Sequence, residues 1–234
     1  MRALIAEIVS ECPRRLAGSA SERRGHDILA RRIGDRGLEV DLEPFRFGTH
    51  LYANLVLHFG LALVATGLFF VSPWLALGLH ALVGLSYAGD SLHRVYLLRR
   101  LLGFRASRNL LATRAADGPV QLRVVLLGHV DAAYTGRMFD PRIVRRLAGD
   151  HDETRPLWGL GRPMRFATTS VFALATVDAV AMMLPGVWVL PTLALLSIPS
   201  LLVVLVNLEV VVRNQVVPGA NDNLSGCAAV DALI

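Results

Sequence analysis

One short motif in this chain carries residue types that do chemistry. Gly128-His129-Val130-Asp131-Ala132 sets an imidazole two residues before a carboxylate, directly after the apolar run Val124-Val125-Leu126-Leu127. That run reads as a buried strand. A His at a strand end, with an Asp close by, is a metal-site pattern. One ring nitrogen binds the metal, and the Asp holds the other and raises the ring's basicity. A second motif, Pro218-Gly219-Ala220-Asn221-Asp222-Asn223-Leu224-Ser225-Gly226, places a lone carboxylate in a Gly-rich turn just ahead of an apolar helix start.

The pair of motifs resembles the zinc aminopeptidases of the M28 peptidase family, which carry a Gly-His-x-Asp motif and a later Gly-Ala-[Asp/Asn]-Asp-[Asp/Asn]-x-Ser-Gly motif. The resemblance extends upstream. Pro13-Arg14-Arg15-Leu16-Ala17-Gly18-Ser19 is similar to the segment before the first helix of such domains. A helix is expected over about 20–36, with Ile28, Leu29 and Ile33 on one face. Gly37 stops it, and Leu38-Glu39-Val40-Asp41-Leu42 alternates as a strand does. Arg108-Asn109-Leu110-Leu111-Ala112-Thr113 resembles the strand that precedes the His strand in the family. The match covers roughly residues 10–45, 105–135 and 214–234.

That resemblance implies a two-zinc site. His129 is then a terminal zinc ligand, Asp131 its orienting partner, and Asp222 the carboxylate that bridges two metal ions. Two such ions acidify a shared water and polarise a scissile carbonyl. Asn221 and Asn223 flank the bridge and fix the turn by side-chain-to-backbone hydrogen bonds. The family's Glu-Glu pair, further Asp and final His all lie downstream of the bridging Asp. The sequence ends at Ile234, so no general base, and hence no catalytic residue, is expected within it. The expectation is a C-terminally truncated, inactive fragment whose parent is a zinc metallopeptidase, removing N-terminal residues from peptide substrates. Two other readings stand beside it. One is a membrane scaffold or adaptor with a degenerate peptidase fold. The other is a zinc acyltransferase like the glutaminyl cyclases.

Composition sets the surroundings of the site. Of 234 residues, 53% are hydrophobic, and the mean hydropathy is +0.48, too apolar for an ordinary soluble domain. The formal net charge is +5, and all 24 basic residues are Arg. No basic face with interleaved aromatics is visible, so nucleic acid is not an expected partner. Cys12 and Cys227 give no disulfide framework or metal-ligand spacing.

Four apolar segments read as membrane spans: 51–72, 74–87, 167–184 and 187–206. The first extends about 33 Å as a helix, enough for a hydrocarbon core of ~30 Å. Tight tips at Ser72-Pro73 and Pro185-Gly186 pair them as two hairpins. An even number of crossings returns His129 and Asp222 to one side. Arg46, Arg94, Arg99, Arg100, Arg105, Arg162, Arg165 and Arg213 flank the ends away from the tips, which places the peptidase-like domain in the cytoplasm. Asp178, inside the third span, reads as a residue that tilts toward the interface or stays protonated.

The expected architecture is α/β: a zinc-peptidase-like mixed sheet with flanking helices, interrupted by two transmembrane helical hairpins. Its parts are an N-terminal piece (1–50), hairpin one (51–99), central strands with the His-x-Asp motif (100–136), an Arg-rich linker (137–166), hairpin two (167–212), and the Asp222 motif with the next helix start (213–234). The protein is expected to be integral to the membrane and multi-pass, in contact with lipid.

Overall fold

The computed structural model describes residues 1–48, 50–116, 118–143 and 158–234, apart from the side chains of 158–163. In chain order, the helices are α1 (Arg2–Glu11), α2 (Ala20–Gly34), α3 (Leu51–Leu68), α4 (Pro73–Ser91), α5 (Trp158–Met183), α6 (Val189–Arg213) and α7 (Ser225–Leu233). The strands are β1 (Glu39–Phe47), β2 (Arg105–Thr113), β3 (Tyr134–Thr135) and β4 (Gln215–Val216). Short 3-10 turns occupy Leu98–Leu102 and Arg137–Phe139. The middle of the expected Arg-rich linker, 144–157, lies outside the described residues.

The chain divides into two compact units. The first comprises 1–49, 104–135 and 214–234, the second 50–103 and 136–213.

In the first unit, α2 starts where its sequence provides a reciprocal cap. The Ser19 side chain accepts from the Glu22 amide at 3.1 Å, and the Glu22 carboxylate accepts from the Gly18 amide at 2.8 Å. These bonds satisfy donors that a helix start leaves unpaired. Ile28, Leu29 and Ile33 are buried along one face, as their spacing predicts. Ile28 and Leu29 join Leu4, Ile8, Cys12, Val130, Leu224, Cys227 and Ala228 in the core of this unit. Gly37, at φ 82°, turns the chain out of the helix and into β1, a conformation that favours glycine. β1 pairs antiparallel with β2, from Glu39↔Thr113 to Phe47↔Arg105. β3 and β4 form a separate antiparallel pair of two residues each.

Two expectations are corrected here. Among the described residues the fold is mostly helical, 62%, with two unconnected two-stranded sheets in place of a large mixed sheet. The apolar run Val124–Leu127 forms no strand, and its side chains are exposed, Leu127 by 84%. Apolarity alone does not make a strand. A strand needs a neighbouring ladder for its amides and carbonyls, and a four-residue apolar run does not specify one.

The second unit is a ring of four helices: α3 packs on α4 and α6, α4 on α5, and α5 on α6. Three described helices are long and apolar enough to cross a membrane: Leu51–Leu68, Met164–Met183 and Val189–Arg213. Two paired transmembrane hairpins are therefore not what the structure gives. The shortfall is in α4, which spends its inner face on His80, Ser86 and Asp90. Only 17% of the span window in α6 is buried, so most of its apolar side chains point away from the bundle. A helix apolar all round suits lipid. The chain thus has the character of a multi-pass membrane protein.

Candidate functional site

His129 and Asp222, 93 residues apart in sequence (222 − 129), meet in the first unit. The His129 Nε2 lies 3.4 Å from an Asp222 carboxylate oxygen, and its Nδ1 lies 3.1 Å from an Asp131 oxygen. The imidazole is thus gripped on both edges by carboxylates. All three side chains are open to solvent, at 51% for His129, 36% for Asp131 and 76% for Asp222. Asn223 accepts from the Gly226 amide through its side chain at 3.0 Å, a cap on the start of α7. Asn221 contributes its main-chain carbonyl, which accepts from the Ser225 hydroxyl at 2.7 Å.

The backbone that carries these side chains is held by Arg15, which is fully buried. Its guanidinium donates to three main-chain carbonyls: Val130 at 2.9 Å, Cys12 at 2.7 Å and Pro218 at 2.7 Å. Its own carbonyl accepts from the Ala132 amide at 2.7 Å. One arginine therefore fastens both motifs to the end of α1. Burial pulls this guanidinium below its ordinary value, while Cys12, Cys227 and Asp131 oppose that shift.

Two glycines allow the approach. A Cβ on Gly128 would stand 2.9 Å from the Cys227 amide nitrogen, so the His129 segment runs close against the start of α7. Gly219 sits at φ 65°, and a Cβ there would press on the Arg15 guanidinium. Cys227, buried, donates from Sγ to the His129 carbonyl at 3.3 Å. Burial pushes its thiol up to about 11, so it is a packed side chain and not a nucleophile.

Beside His129 lies a groove of about 440 Å³, bounded by β2 residues 107–111, by 126–131 and by α2. Glu22, His26, Asp131 and Asp231, with Ser107, Arg108, Asn109 and His129, bring polar atoms to the lining. Glu22 accepts from Ser107 at 2.9 Å, and burial pushes its carboxyl up against the pull of its hydrogen bonds. Burial, then the nearby Arg108, pushes His26 down, so the ring is held neutral. Among the described residues the His26 Nδ1 is buried with no hydrogen-bond partner of ordinary geometry.

The metal expectation fails on this geometry. Among the described residues no group of three or more His, Cys, Asp or Glu is placed to hold an ion. Asp131 and Asp222 flank opposite edges of the His129 ring, so the three side chains do not converge on one point. A Zn²⁺ site takes at least three protein ligands around one position. Zinc as a cofactor is therefore corrected, and with it the zinc-dependent peptidase, hydrolase and zinc acyltransferase readings that need it.

In the sequence Arg15 stands only within a family-like segment, and His26 lies in no motif. In a chain whose 24 basic residues are all Arg, nothing local marks Arg15 as buried. The alternation of apolar and polar residues along α2 could have placed His26 on the inner face with Leu29 and Ile33. No protein-family model, curated protein or solved structure matches this chain.

Proposed function

We propose that the chain is an integral-membrane scaffold. Its helical unit inserts in the bilayer, and its other unit is a platform that offers the groove beside β2 to an extended segment of a partner polypeptide. The observation that carries this reading is the run 124–127. It is apolar and exposed, joins no sheet among the described residues, and its end borders a groove of binding-site size. An extended segment of that kind is a template for strand addition. The chain passes between the units at 49/50, 103/104, 135/136 and 213/214, so the platform is tethered four times. The order of the motifs supports a kinship of the platform with the M28 family, without its hydrolytic chemistry. The Arg-rich ends of the helices favour a cytoplasmic platform.

The test uses the full chain in phosphatidylcholine nanodiscs. The probe is a capped peptide of alternating Val and Thr, beside a variant of it interrupted by Pro. The alternating peptide should slow amide exchange across 124–131, and the interrupted one should not. Leu126→Asp should weaken binding about tenfold, ~1.4 kcal/mol. Equal behaviour of the two peptides would sink the reading. For orientation, an Ala115→Cys variant should react with an impermeant maleimide in inside-out vesicles and resist it in right-side-out ones.

A further inference from the structure

The stretch after α4 combines features that neither a soluble loop nor a lipid-buried helix would tolerate. It folds back onto the end of the bundle and is fastened there. The Arg94 amide donates to the Gly89 carbonyl at 3.1 Å, and the Leu98 amide donates to the Ser86 hydroxyl at 3.1 Å. Arg99 bridges to the buried Asp90 at 3.0 Å and lies over the Tyr96 ring. Asp90 also accepts from Asn54, in the first turn of α3. The stretch therefore sits at the level where α3, a membrane-length helix, begins.

From that position it exposes apolar side chains, Leu92, Val95, Leu97 and Leu101, the last by 73%. Arg94 and Arg100 are exposed among them. The one carboxylate nearby in sequence, Asp90, is neutralised by Arg99. Exposed leucines favour the edge of the hydrocarbon, and exposed guanidiniums favour the phosphate layer just outside it. Both are satisfied together only at a bilayer surface.

We propose that residues 92–103 form an interfacial collar that binds the phosphate headgroups of anionic lipids through Arg94 and Arg100, with Leu97 and Leu101 seated among the acyl chains. The inference rests on bilayer insertion of the bundle and is independent of the groove on the platform. Each guanidinium near an anionic surface contributes a factor of about five in affinity.

The test is the partition of spin-labelled lipids around the full chain in phosphatidylcholine vesicles, with labelled phosphatidylglycerol compared against labelled phosphatidylcholine. The chain should hold phosphatidylglycerol preferentially at low salt. Arg94→Gln and Arg100→Gln should each lower that preference about fivefold, and Arg94→Lys with Arg100→Lys should keep it, because point charge suffices. Arg31→Gln, on an exposed face of α2, is the control and should change nothing. An equal loss from Arg31→Gln would assign the preference to net charge and overturn the collar. So would a loss of preference with inorganic phosphate beyond that with chloride at the same ionic strength, since the site would then serve a soluble anion. Absence of any phosphatidylglycerol preference in the unaltered chain would also overturn it.

Discussion

Each of the two units buries ionisable side chains completely, and they do so in opposite ways. In the platform, Arg15 gives its donors to the carbonyls of Cys12, Val130 and Pro218. In the bundle, His80 and Asp178, both at 0% exposure, face each other at 2.6 Å. His80 also reaches the Ala62 carbonyl at 3.0 Å and Thr66 at 3.3 Å, and Thr66 reaches Ser197 at 3.0 Å. The network thereby touches all four helices. The difference follows from the backbone. A membrane helix satisfies its own amides and carbonyls, so a carbonyl such as that of Ala62 supplies only a second bond, and the buried carboxylate of Asp178 takes its partner from the His80 side chain. The platform is built from turns whose carbonyls have no helix or sheet to join, and a fork of five donors is the side chain that fits them.

The largest expected effect breaks the platform side of the comparison. Arg15→Ala leaves three carbonyls, two of them buried, without donors and should cost about 4 kcal/mol. Amide exchange in α2 and α7 should accelerate toward that of an unfolded segment, while the amides of α3 and α6 keep their protection. Equal acceleration in both units would show that they unfold as one.

Next in size is the bundle's own pair. Asp178→Ala strands His80 and should cost about 3 kcal/mol, read as detergent-denaturation stability of the full chain. His80→Leu with Asp178→Leu removes both partners and should cost clearly less than the single change. In the platform no such rescue by a second substitution is available, because the partners of Arg15 are main chain. A double variant as unstable as Asp178→Ala would mean that the pair contributes net attraction, and the proposed contrast would lose its basis.

These particulars show how far the sequence could be read. The α2 face, β1 and the membrane character are local or compositional properties, and periodicity and hydropathy report them directly, whereas β2 follows only from the family resemblance of 108–113. The meeting of His129 with Asp131 and Asp222 followed from motif order. What their side chains do did not follow, because convergence on a metal is a matter of angles around the ring, and spacing does not encode angles. The strand expected at Val124–Leu127 failed because pairing belongs to the neighbour as much as to the run. The partner of Asp178 was missed for a related reason. Asn54, His58 and His80 all lie within apolar spans, and nothing in their spacing singles out His80. The bundle instead gives Asn54 to Asp90, and His58 to Ser86 and the Asn54 carbonyl.

The smallest expected effect concerns His26, the titratable ring beside the groove, where Arg15-type satisfaction is missing. In the folded platform His26 holds a proton less tightly than in the unfolded chain, where its ordinary value is 6.5. The unfolded state therefore binds more protons as the pH falls below that value, and the platform loses stability on the acid side. Glu22 works in the opposite sense. Folded, it holds its proton more tightly than its ordinary 4.5, so its contribution is lost as the pH rises from there through the folded value. Amide exchange of α2, corrected for intrinsic rates, should consequently show falling protection below about pH 6.5. His26→Gln should flatten that decline and leave the bundle helices unchanged. A decline of undiminished slope in His26→Gln would place the acid sensitivity elsewhere in the platform, and the neutral, buried Nδ1 would then be without thermodynamic consequence.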